Sequence, residues 1–127
     1  MKKMSKSILI VENSLDYQEL MSEIVVAMGY EAIIADRATA AWEILEKREV
    51  ALILLDIKMP SVHGHLFMQF IRKRGKLMPV IAISGFLTPE VFESLRASQI
   101  ATVIAKPFKV RRLTEEVARI FETVAEQ

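Results

Sequence analysis

Five times along this chain a short run of β-branched or aliphatic residues gives way to a longer segment whose apolar side chains recur at helical spacing. No other feature constrains the fold as tightly. The short runs read as strands at Ile8 to Val11, Glu31 to Ala35, Ala51 to Leu55, Val80 to Ser84 and Thr102 to Ala105. Three of them are almost wholly apolar, as parallel strands covered on both faces must be. After the first run, Tyr17, Leu20, Met21, Ile24 and Met28 form one helical face, with Ser14 as a candidate N-cap and Gly29 where the helix should stop. A second helix carries Ala41, Ile44 and Leu45. A third, opened by Gly64, carries Phe67, Phe70 and Ile71 and closes near Gly75. Thr88 and Pro89 begin a fourth, since Thr caps well and Pro suits the first helical turn. A fifth, from about Val110, presents Leu113, Val117, Ile120, Phe121 and Val124 to the core. Five βα units predict an α/β protein: a parallel sheet, helices on both faces, right-handed crossovers.

The length of 127 residues suits one domain spanning 1–127, with no linker or internal repeat. A net charge of +1 supplies no strong field for nucleic acid or an anionic membrane, so no direct nucleic-acid binding is expected and partners must be recognised locally. The chain has no cysteine, which excludes disulfides, a thiolate nucleophile and Cys-bound zinc. The start, MKKMSKSILIV, has a basic head, but its apolar run ends at Glu12, short of the roughly 7 to 15 residues of a signal sequence. No run approaches the roughly 18 apolar residues of a membrane helix. A cytoplasmic location without membrane contact is expected by elimination.

In a doubly wound sheet the ligand lies beyond the carboxyl ends of the strands, where neighbouring strands send their helices to opposite faces. The residues at those ends therefore matter most. Glu12 and Asn13 follow the first strand, Asp56 the third, Ser84 ends the fourth and Lys106 follows the fifth. The second strand, ending near Asp36, would lie at an edge. Glu12, Asn13 and Asp56, with a main-chain carbonyl just after Asp56, offer the hard oxygen ligands that Mg2+ prefers. Lys106 adds a fixed positive charge and Ser84 a hydroxyl donor. Carboxylates serve as covalent nucleophiles, and phosphoryl transfer depends mainly on positioning and charge neutralisation, so the cluster suits a phosphoryl group on Asp56.

These residues carry a resemblance. From ILIVEN through LLDIKMPSVHG and VIAISG to AKPF, the chain resembles a response-regulator receiver domain of two-component phosphorelay signalling. The most specific stretches are D-x-x-M-P-x-x-x-G, met by Asp56, Met59, Pro60 and Gly64, and the pair Lys106 and Pro107. The resemblance implies a doubly wound five-stranded, flavodoxin-like (βα)5 fold with strand order 2-1-3-4-5. It also implies Asp56 as phosphoacceptor, Ser84 as the hydroxyl that turns toward the phosphoryl group, Lys106 as charge partner, and a cis peptide before Pro107. Mg2+ would be held by Glu12, Asn13, Asp56 and the main-chain carbonyl of Lys58. The implied partners are a sensor histidine kinase or phosphotransfer protein and a downstream protein target. A weak homodimer through the fourth helix, fifth strand and fifth helix follows by analogy, with Arg111 and Arg112 on that face. Such a domain phosphorylates itself without being a turnover enzyme.

Two departures shape the alternative. Asn13 stands where the family usually has a second acidic metal ligand, which removes one negative charge. Val103, three residues before Lys106, replaces a frequent switch aromatic. The rival reading is a pseudo-receiver, a phosphorylation-independent protein-binding module. Lys58 and Phe86 lie at positions bordering the attacking water in the family, and the bulky Phe86 implies slow phosphoryl loss. Other residues have plainer readings: Asn13 as a helix N-cap, His63 and His65 as ordinary loop histidines, Trp42 as partly buried core. RKRGK, from Arg72 to Lys76, reads as a solvated helix end complementing the helix dipole. Neither G-x-G-x-x-G nor G-x-x-x-x-G-K-[ST] follows the first strand, and ENSLDYQ lacks the character of a flavin phosphate loop.

Overall fold

A computed structural model describes residues 6–57, 62–85, 88–97 and 99–125, with the backbone alone for 62–65, 91, 94 and 123–125. The elements alternate as β1 (Ser7–Val11), α1 (Leu15–Ala27), β2 (Glu31–Ala35), α2 (Ala38–Lys47), β3 (Leu52–Ile57), α3 (Val62–Lys73), β4 (Val80–Ser84), α4 (Pro89–Ala97), β5 (Thr102–Ala105) and α5 (Val110–Ala125). The strands form one parallel five-stranded sheet in the order β2-β1-β3-β4-β5, which is the predicted doubly wound architecture.

Strand periodicity sorts the core into two layers. Leu9, Val11, Ile53, Leu55, Val80 and Ala82 face one way and pack against Ala41 and Leu45 of α2, Phe67, Met68 and Ile71 of α3, and Leu95 of α4. Ile8, Ile10, Leu52, Leu54, Ile81 and Ile83 face the other way, against α1 and α5 through Met21, Ile24, Val25, Leu113, Val117 and Phe121. Thus β1 hands its chain to a helix on one face, and the adjacent β3 to a helix on the other. The crevice at the carboxyl ends of β1 and β3 is the switch point.

Local chemistry explains the helix ends. Ser14, with extended backbone, caps α1 by accepting the Tyr17 N–H at 3.4 Å, so Ser14 and not Asn13 fills the cap. At the other end Gly29 has φ 94°. Its N–H donates to Val26 O, and the Tyr30 N–H reaches back to Val25 O, a Schellman closure that needs the left-handed backbone glycine adopts freely. Gly75, φ 81°, closes α3 in the same way, with Lys76 N–H donating to Ile71 O.

Three expectations shift. β3 begins at Leu52 and continues through Asp56 to Ile57, because Asp56 and Ile57 keep parallel register with Ile83 and Ser84 of β4. A polar side chain does not stop a ladder whose backbone still has a partner. α3 starts at Val62, which puts Gly64 inside its first turn instead of at its opening. Arg72 is not a solvated helix end: its guanidinium donates to the carbonyls of Lys76 and Met78 at 2.8 Å each and of Gln99 at 3.1 Å. It ties the α3–β4 connection to the α4–β5 connection. Among the described residues no helix is long and apolar enough to cross a membrane.

Candidate functional site

Four strand ends deliver the site. Glu12 follows β1 directly, and its placement is determined at three points. Its N–H donates to Ala35 O at 3.0 Å, its carbonyl accepts from Gln18 Nε2 at 2.6 Å, and its Oε2 accepts the Ser14 N–H at 2.9 Å. The cap that starts α1 therefore also orients the carboxylate. Asp56, near the end of β3, brings Oδ1 within 3.1 Å of Lys106 Nζ, and the same Nζ donates to Glu12 Oε1 at 2.8 Å. All three side chains are nearly enclosed: 1% exposed for Glu12, 7% for Asp56 and 13% for Lys106.

Lys106 is itself held on the backbone, its N–H donating to Ser84 O at 2.7 Å. The Lys106–Pro107 peptide is cis, as the resemblance implied. Ser84 is buried at the end of β4, beside Ile57 and Ala105 in the adjoining strands. Asn13 is exposed next to Glu12. Asp36, at the end of edge strand β2, pairs with Arg37 and takes no part.

One ammonium between two carboxylates leaves negative charge uncompensated in a poorly hydrated place. Burial pushes the Asp56 carboxyl above its ordinary range, Lys106 opposes that rise, and the Glu12 carboxylate adds to it. Burial alone would lower the Lys106 ammonium, but hydrogen bonds and attraction from Glu12 and Asp56 outweigh it and hold the group above its ordinary value. A site with a surplus carboxylate, hard oxygen donors from Glu12 and Asp56, and the exposed Asn13 amide alongside fits a hard divalent cation in its donor chemistry.

The structure thus brings together the side chains of Glu12, Asp56 and Lys106 and joins Ser84 to Lys106 through the backbone. Lys58, Met59, Pro60 and Phe86 lie outside the described residues, and His63, Gly64 and His65 are described by backbone alone within α3. Val103 packs partly buried against the α2–α3–α4 layer. Sequence reasoning missed Tyr17, whose ring centroid lies 4.0 Å from Lys106 Nζ and 5.9 Å from the Phe108 ring. Its place on the apolar stripe of α1 marked it only as core. Gln18, which anchors the Glu12 carbonyl, carried no signal of its own.

Comparison with known proteins agrees with this fold. The family model for the response regulator receiver domain matches residues 8–118. The chain is 30% identical over 117 residues to the response regulator protein FleR of Pseudomonas aeruginosa, covering 91% of this chain but 24% of FleR. It is 30% identical over 116 residues to the polar-differentiation response regulator DivK of Brucella ovis, covering 90% of this chain and 94% of DivK. Among solved structures, a CheY-like response regulator receiver domain protein from Methanospirillum hungatei shares the fold with a TM-score of 0.86 and 26% identity, over 98% of this chain and 100% of that one. With sequence and fold agreeing along nearly its whole length, the chain belongs to the response-regulator receiver domain family.

Proposed function

We propose that this chain accepts a phosphoryl group on Asp56 from the phosphohistidine of a sensor histidine kinase or phosphotransfer protein, and that the change switches its contact with a downstream protein. The observation that carries the reading is the single Lys106 ammonium shared between Glu12 and Asp56. A carboxylate oxygen of Asp56 attacks phosphorus, the P–N bond to the donor imidazole breaks, and the imidazole leaves with the bonding pair and takes up a proton. Lys106 stays as a fixed positive charge beside the oxygens that gain negative charge, and the Ser84 hydroxyl turns to donate to one of them. Glu12, Asn13, Asp56 and the Lys58 carbonyl would hold Mg2+, which supplies the remaining charge neutralisation when bound. The Glu12 carboxylate, held by the Ser14 N–H, keeps Lys106 aimed at Asp56 through the exchange. The chain acts as a signalling domain in the cytoplasm, not as a turnover enzyme.

Asn13 favours a second reading, the pseudo-receiver that binds a partner without phosphorylation, since an amide brings one negative charge fewer than the usual acid. The test is the intact mass after incubation with acetyl phosphate, with and without Mg2+, for wild type, Asp56→Asn and Asn13→Asp. A gain of one phosphoryl group in wild type that needs both Mg2+ and Asp56 supports the first reading. A gain seen in Asn13→Asp alone supports the second.

A further inference from the structure

On one face of the sheet, α2 and α3 leave a space between them that side chains of both helices line. Trp42 of α2 meets Phe70 of α3 edge to face, centroids 5.0 Å apart and planes at 88°. With Phe67 and Ala38 they line a cavity of about 470 Å3, well within the size range of binding pockets. Phe70 remains 36% exposed and Leu66, on the preceding turn, 53%. Aromatic side chains open to water in a groove between two helices are the usual anchors of protein recognition.

Charge selects the occupant. Glu43 and Glu46, one helical turn apart on α2, line the same cavity, and neither forms an ion pair among the described residues. Arg74 does not supply their counter-charge. Its guanidinium stacks 3.6 Å from the Phe70 centroid, lies 5.9 Å from the Trp42 centroid and donates to Phe70 O, so the aromatic pair engages it and neither glutamate does. That stacking also shows the ring face receiving a cation. An acidic segment would meet two uncompensated carboxylates here, whereas Lys or Arg side chains spaced by a helical turn would meet both.

We propose that the α2–α3 groove docks a basic amphipathic helix of a partner protein. One bulky apolar side chain rests over Trp42 and Phe70, and cations one turn apart face Glu43 and Glu46. The groove holds none of the residues around Asp56, so this contact is independent of the phosphoacceptor reading.

Trp42 is the one tryptophan of the chain, and its fluorescence reports the groove directly. The probe is a synthetic amphipathic helix of Leu and Lys, beside the same peptide with Glu replacing Lys. The Leu–Lys peptide shifts Trp42 emission saturably, and the Leu–Glu peptide does not. Combining Glu43→Lys with Glu46→Lys weakens binding roughly tenfold or more, while the matched reversal of exposed Glu19 and Glu23 on α1 leaves it unchanged. Phe70→Ala weakens binding with the far-ultraviolet circular dichroism intact. Equal binding of both peptides, equal loss from the α1 reversal, or no loss from the α2 reversal would overturn the proposal. So would a Trp42 shift that appears on raising protein concentration alone, with a dimer in sedimentation, since a second copy would then be the occupant.

Discussion

Asp56 is held in a state it does not favour when ionised. Its carboxyl sits above the ordinary value because burial and Glu12 outweigh Lys106, so the native state binds its proton more tightly than the unfolded chain does. The stabilisation from that proton is fully present below the ordinary carboxylate pKa of 3.8 and is lost as pH rises through the raised value. At neutral pH the ionised group therefore weighs against the fold. Asp56→Asn should raise stability there, on the order of 1 kcal/mol, with the gain fading as pH falls below the raised value; melting temperatures across pH check this. The Tyr17 ring bears on the same cluster through Lys106. Tyr17→Leu should slow phosphoryl gain from acetyl phosphate roughly threefold to tenfold, and Tyr17→Phe, which keeps the ring face, should match wild type. The two carboxylates and the lysine are legible because each sits where a strand ends. Tyr17 is not, because a ring over an ammonium is a contact between α1 and the β5–α5 connection that no local spacing records.

At the scale of elements, capping and glycine chemistry explain where α1 and α3 stop, and the sequence shows both signals openly. Arg72 is a different case. Five residues that read as a charged, solvated helix end include one guanidinium that satisfies carbonyls from two connections. Only tertiary placement decides which arginine turns inward, since Arg74, two residues on, stacks instead on Phe70. Gln99, one of the Arg72 acceptors, has φ 62°, so the cation also helps hold a left-handed backbone that a residue other than glycine rarely adopts. Arg72→Leu should cost roughly 2 kcal/mol by leaving three carbonyls without their charged donor. Urea denaturation measures it, and Lys73→Leu, on the same turn, serves as the control with little change. The extension of β3 past Leu55 escaped the sequence for a related reason: hydropathy marks where the apolar side chains end, and hydrogen-bonded pairing with β4 marks where the strand ends.

For the whole molecule, the alternation of elements carried most of the information. Two apolar layers on a parallel sheet require a switch point, and the switch point between β1 and β3 is where Glu12 and Asp56 meet Lys106. The fold thereby places two carboxylates and their counter-charge in one crevice without any of them being neighbours in sequence. The residues that line the groove between α2 and α3 include none from that crevice, so docking there can be tested apart from the phosphoacceptor. In the proposed function Asp56 takes the phosphoryl group. Treatment with acetyl phosphate and Mg2+, followed by borohydride reduction and peptide mass mapping, tests it directly, because reduction converts an aspartyl phosphate to homoserine. Homoserine at position 56, absent without Mg2+ and absent in Asp56→Asn, is the predicted result. An unreduced Asp56 in folded protein, or homoserine at another aspartate, would contradict it.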